Sequence, residues 1–118
     1  MKHAKKGSKL GREKVQRVAL LRGLAISLIK HGKIQTTLAK AKELRKFIEP
    51  MVTMAIKSEP ITAQRVISSR LINNTIETKK LVKEIAPKFK DTPGGYTRII
   101  KVKTRLKDSA AMAVIEFV

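Results

Sequence analysis

At Pro93-Gly94-Gly95 the apolar pattern of this chain changes its period, and that change limits the fold more than any other feature of the sequence. Before it, large apolar side chains recur three and four residues apart, the spacing that gives an α-helix one buried stripe. After it they alternate with polar or charged residues, the spacing of a strand with one covered face. Helical runs followed by strands read as an α+β domain.

The first stripe is Val18, Leu21, Ala25, Leu28 and Ile29, in a helix that begins at Glu13, with Lys14, Arg17 and Lys30 off the stripe. His31-Gly32 stops it, because glycine accepts the left-handed conformation of a C-terminal cap. The stretch KIQTTL, residues 33–38, alternates Ile34, Thr36 and Leu38 with Lys33, Gln35 and Thr37 and predicts a short strand, after which Thr37 caps a second helix. The stripe of that helix, Leu44, Ile48, Met51, Val52 and Ala55, continues on both sides of Pro50, so a kink is expected there and not an end. Ser58-Glu59-Pro60 is a break. A third helix over 62–72 turns Val66, Ile67 and Leu71 inward and ends at Asn73-Asn74. Thr75 is expected to cap a fourth that buries Ile76, Leu81, Val82 and Ile85 and is closed by Pro87. Residues 96–105 and 111–118 read as two strands joined by the turn LKDSA. The expectation is one compact domain over 13–118, about four helices packed on a small sheet of about three strands, preceded by an extended basic arm over 1–12.

A chain of 118 residues can bury a real core, and with 42% hydrophobic but only 3% aromatic residues that core is mainly aliphatic. The absence of cysteine removes disulfides, thiolate metal sites and cysteine nucleophiles. No apolar run approaches the eighteen or so residues of a membrane span, and MKHAKKGSKLGR lacks the apolar centre of an export signal, so a cytoplasmic protein with no membrane partner is expected. What remains is charge: 27 lysines and arginines against 9 carboxylates, a formal +18. Residues 1–46 hold fourteen basic and two acidic side chains, residues 47–87 six and four, and residues 88–118 seven and three. Such a protein repels itself and gains from a polyanion.

Chemistry is scarce. Two histidines, one in the arm and one at a helix end, and nine scattered acids offer no catalytic cluster and no metal site, and Gly94-Gly95 lacks the context of a phosphate-cradling loop. No catalytic residue, cofactor or small-molecule substrate is therefore expected. Binding is better supported. On residues 96–105, Arg98, Ile100, Val102 and Thr104 form one alternating set and Ile99, Lys101, Lys103 and Arg105 the other; the second reads either as a phosphate-facing edge or as lysines that keep a sheet soluble. Tyr96 could stack on a base, although RNA-reading sheets usually present two or three aromatics, so phosphate and shape recognition suits the residues better.

The arm MKHAKKGSKLGR, the block RVALLRGLAISLIKHGKIQTTLAKAKELRKFIEP and the segment PGGYTRIIKVKTRLKDSAAMAVIEFV resemble, in order and spacing, the bacterial-type large-subunit ribosomal proteins of the L-seventeen family. The likeness is most specific in TTLAKAKELR and GGYTRI. It implies a compact α+β structural component of the large ribosomal subunit that binds large-subunit ribosomal RNA, lies near the polypeptide exit region, and neighbours other large-subunit proteins, in a cytoplasmic or organellar ribosome. Residues implied as RNA contacts are Lys2, His3, Lys5, Lys6, Lys9 and Arg12 in the arm, Arg17 and Arg22 on the first helix, Lys40, Lys42 and Arg45 on the second, and Tyr96, Arg98 and Lys101 near the strand; Lys103 and Arg105 join them from the strand pattern alone. Lys2 stands where the family often has arginine, and Gly11 where it often has a larger polar residue. The rival reading is a DNA-compacting nucleoid-type basic protein, a class that usually dimerises. No apolar seam is left over for a dimer once the stripes are assigned to one core.

Overall fold

The computed structural model describes residues 13–118, so the basic arm lies outside them. In chain order the elements are α1 (Lys14–His31), β1 (Lys33–Thr37), α2 (Leu38–Lys57), α3 (Pro60–Arg70), α4 (Thr75–Lys80), β2 (Thr97–Val102) and β3 (Met112–Phe117). Beyond Lys80 the helical path continues, widening to a π-helical turn at Leu81–Ile85 and tightening to a 3-10 turn at Ala86–Phe89. The widening sits just ahead of Pro87, whose ring would otherwise meet the carbonyl of Lys83 one turn earlier. The strands form one antiparallel sheet in the order β1-β3-β2.

Both expected caps at the α1–β1–α2 junction are present. Gly32 is left-handed at φ 81° and its N–H donates to the Leu28 carbonyl at 2.7 Å. The Lys40 N–H donates to the Thr37 hydroxyl at 3.3 Å, which satisfies one of the donors a helix start leaves open. Helix α2 runs through Pro50, which faces solvent, while Ile48, Met51 and Val52 around it are wholly buried.

The sheet has one covered face. Register places Ile99, Ile115 and Ile34 side by side, and Lys101, Ala113 and Thr36 in the next row, on the side that packs against the helices. The core joins Ala25, Leu28 and Ile29 of α1, Leu44, Ile48 and Met51 of α2, Ile67 and Leu71 from α3 and its end, Leu81, Val82, Ile85 and Phe89 further on, and Ala113 and Ile115 of β3. Ile100, Val102, Met112 and Val114 lie on the opposite, uncovered face.

Several local expectations are corrected. Asn74, not Thr75, precedes α4, and its side chain makes no capping bond. Ile76 is 77% exposed because the helix is phased on Thr78, Leu81, Val82 and Ile85; the buried Thr78 hydroxyl is satisfied by donating to the Asn74 carbonyl at 2.7 Å. Val18 and Val66 are half-buried, and Ala63 joins Ile67 and Leu71 inside. Strand β2 ends at Val102 rather than 105: beyond it the Arg105 N–H donates to the Ala110 carbonyl at 2.9 Å and the Ser109 N–H to the Arg105 carbonyl at 2.8 Å, so the chain turns there instead of extending the ladder.

Helix α3 ends in a Schellman arrangement, with the Asn73 N–H donating to the Ser68 carbonyl at 2.7 Å and Ile72 at φ 56°. A β-branched residue is strained there, at a cost of about 1–2 kcal/mol that glycine avoids. Ile72 is exposed and loses little packing when truncated. Ile72→Gly is therefore expected to stabilise the domain by about 1 kcal/mol after the entropy glycine adds to the unfolded chain. A thermal melt checks this, with a midpoint rise of about 4 °C or more.

Candidate nucleic-acid interface

The basic side chains named from the sequence divide into those the fold occupies and those it leaves free. Arg45, one turn before Glu49 on α2, reaches across to the start of β2: its Nε donates to the Thr97 hydroxyl at 3.2 Å and its Nη2 to the Thr97 carbonyl at 3.2 Å. Glu49 completes the knot by accepting from the Thr97 N–H at 3.0 Å and from its hydroxyl at 2.6 Å. In the sequence Glu49 is only one of nine scattered acids. The structure makes it the acceptor that fixes β2 to α2.

Tyr96 is corrected more sharply. Its ring is 3% exposed and packs at 5.3 Å from the Phe89 ring, and its hydroxyl lies 3.1 Å from that of Thr53. No face is open for a base, so the aromatic of GGYTRI is a core residue that closes the space under the glycine turn. The turn itself needs its glycines, with φ 144° at Gly94 and 66° at Gly95.

Arg98 is exposed but donates to Glu116 on the neighbouring strand at 2.9–3.0 Å. Arg105 forms a two-pronged pair with Asp108, Nε to Oδ1 at 3.0 Å and Nη2 to Oδ2 at 2.9 Å, and the Ala110 N–H donates to the same carboxylate at 3.2 Å. These bonds, the Arg105 pair first and the Ala110 N–H second, hold the Asp108 carboxyl below the usual carboxylate range, and Asp108 in turn raises the Arg105 guanidinium. The pair pins the tip of the β2–β3 hairpin.

Lys42, Lys101, Lys103 and Lys107 are exposed and make no ion pair among the described residues. Lys101 belongs to the same alternating set as Ile99, so it extends the helix-facing side of β2 beyond the helices, and Lys103 lies just past the strand's end; the open face carries Ile100 and Val102 instead. Lys40, Arg17 and Arg22 are half-buried. Lys46, absent from the sequence candidates, is exposed beside Lys42 and bonds Glu43 at 3.4 Å. Lys107 at the hairpin tip was also missed; its place in a charged turn was the only signal. Lys2, His3, Lys5, Lys6, Lys9 and Arg12 lie outside the described residues. Among the described residues no cluster of His, Asp or Glu could hold a metal ion, and no helix is long and apolar enough to cross a membrane.

Replacing Glu49 by Gln leaves the two Thr97 donors with a neutral acceptor and Arg45 without its carboxylate. Urea unfolding is expected to show a loss of about 1–2 kcal/mol. The hairpin tip gives a pH signature. Asp108 has its folded pKa depressed, so its contribution is present above the unfolded value near 3.8 and is lost as pH falls through the lower folded value. The Ala110 amide resonance should accordingly titrate with its midpoint below 3.8.

A family model described as Ribosomal protein L17 matches residues 20–118. Curated proteins named Large ribosomal subunit protein bL17 align along the whole chain: that of Persephonella marina is 54% identical over 119 residues, covering 100% of this chain and 95% of its own length. The counterpart in Campylobacter lari is 52% identical, covering 100% and 99%, and that in Neorickettsia sennetsu 45%, covering 100% of each. By the family model and by these full-length relatives, the chain belongs to the L17 family of large-subunit ribosomal proteins, a family of structural components and not of enzymes.

Proposed function

We propose that this protein is a structural constituent of the large ribosomal subunit that binds large-subunit ribosomal RNA by phosphate and shape contacts and supports assembly of the subunit in the cytoplasm. The observation that carries the reading is the combination of full-length kinship with proteins named for the large subunit and a surface on which Lys42, Lys101, Lys103 and Lys107 stand exposed and unpaired within a +18 chain. The arm residues Lys2, His3, Lys5, Lys6, Lys9 and Arg12 act with them as a second basic element. Arg17, Arg22 and Lys40 contribute from half-buried positions. Arg45, Arg98 and Arg105 first hold the fold together and meet phosphate only with the edges their partners leave open. Tyr96 takes no part. A place near the polypeptide exit region, beside other large-subunit proteins, follows from the family likeness alone.

Roughly six to ten phosphate contacts make affinity fall about 10³- to 10⁵-fold between 50 and 200 mM salt. Sedimentation of a native lysate on a sucrose gradient tests the assignment: the protein should travel with the large subunit through a moderate salt wash, and travel with DNA or at the top of the gradient would overturn it. The double change Lys101→Glu and Lys103→Glu is expected to weaken binding to large-subunit RNA by about tenfold or more and to flatten the salt dependence by roughly two contacts, with unfolding unchanged because both side chains are exposed. Unaltered affinity would make them guards against sheet aggregation only.

A further inference from the structure

Between the first turns of α2 and the root of the β2–β3 hairpin lies an open groove of about 700 Å³. Leu38 and Ala39 on one side and Ala110 and Ala111 on the other give it an apolar lining, and Lys42 and Lys46 rise from the helix wall with Arg45 between them. The two sides are tied together by the Leu38 N–H donating to the Ala111 carbonyl at 2.8 Å. The hairpin side is held by the Arg105 N–H on the Ala110 carbonyl at 2.9 Å and by the Asp108 carboxylate on the Ala110 N–H at 3.2 Å. The groove is thus preformed, and a ligand need not order it.

We infer that this groove seats one unpaired nucleotide of the bound RNA, its base against the alanine lining and its phosphates along the cationic wall. The inference rests on the RNA-binding reading above and narrows it to one site. Three observations select this occupant. The volume falls in the range of about 300–1,000 Å³ typical of small-ligand pockets. The lining of leucine and short alanines leaves apolar surface without a side chain filling the space, which suits a planar ring. Lys42, Arg45 and Lys46 follow the helical i, i+3, i+4 spacing, so they share a wall, and its one carboxylate, Glu43, is already bonded to Lys46. A base inside a helix has both faces stacked and cannot enter. An unpaired base in a loop or bulge has a face to give. The lining offers apolar surface and cations rather than matched donors and acceptors, so the seat takes an unpaired base without reading its identity.

The test uses the full chain, large-subunit ribosomal RNA, and two measurements, affinity as a function of salt and base reactivity at nucleotide resolution. Ala39→Trp and, from the opposite wall, Ala111→Trp fill the groove at exposed positions without changing charge. Each should weaken binding about tenfold, leave the salt slope as in the unaltered protein, and restore chemical reactivity at one unpaired nucleotide that the unaltered protein protects. Lys42→Ala should instead lower the slope by about 0.7–0.9, the share of one phosphate. If both tryptophan variants bind and protect as the unaltered protein does, or if the protection they lose falls on paired nucleotides, the nucleotide seat is wrong while the wider RNA reading stands. An unaltered protein with no salt-dependent affinity for the RNA would remove both.

Discussion

Helix α2 must pass through Pro50 without breaking, and the rest of the domain depends on that continuity. A proline inside a helix removes one hydrogen bond and crowds the carbonyl four residues earlier, here that of Lys46, at a cost of about 3 kcal/mol. The helix survives because it is the element most others lean on: α1, α3, the irregular helical turns after α4 and all three strands pack against it. Ala41, Leu44 and Ile48 before the proline and Met51 and Val52 after it are all wholly buried. At roughly 1.5–3 kcal/mol for each large aliphatic side chain taken out of water, the burial on either side outweighs the local defect. Pro50 itself is turned to solvent, where the irregularity at the helix surface can be hydrated.

The same helix sorts the cations. Toward β2 it carries Arg45 and Glu49 to Thr97, a contact across about fifty residues of sequence in which a carboxylate, a guanidinium, a hydroxyl and two main-chain groups satisfy one another. On its exposed side it carries Lys42 and Lys46. Arg98 and Arg105 take the first role as well, each holding a carboxylate, whereas Lys101, Lys103 and Lys107 hold none among the described residues. The division follows from the side chains. A planar guanidinium fits a carboxylate by two parallel bonds, and an ammonium on a flexible stem keeps its hydration until an anion arrives.

Much of this domain was legible in the sequence. Gly32 and Thr37 declared their caps, the stripe on both sides of Pro50 declared one helix, and the change of period after Gly95 declared the sheet. Those signals are local, carried by residues within a turn or two of each other. What was illegible depends on elements meeting from afar. Nothing near Tyr96 says that Phe89 and Thr53 enclose it, and nothing near Glu49 says that Thr97 arrives to use it. Thr78 illustrates a second limit: a polar residue took the buried phase of α4 because its hydroxyl found a carbonyl one turn back, and apolar periodicity gave that place to Ile76. Ile72 is a third, since a left-handed isoleucine has no signature where glycine or asparagine is the usual mark.

The central strand of the sheet, β3, follows both of its neighbours in the sequence. Strands β1 and β2 each present their inner edge only to it, across separations of about eighty and about fifteen residues, so neither ladder can begin before residues 112–117 have been made. During synthesis the helices can already gather around α2, but they do so over an unfinished floor, with Ile34 and Ile99 still lacking the Ile115 that joins them. Until then β1 and β2 have no strand partner within the sheet. The positive charge that later meets RNA would at that stage also hold those edges apart from other chains.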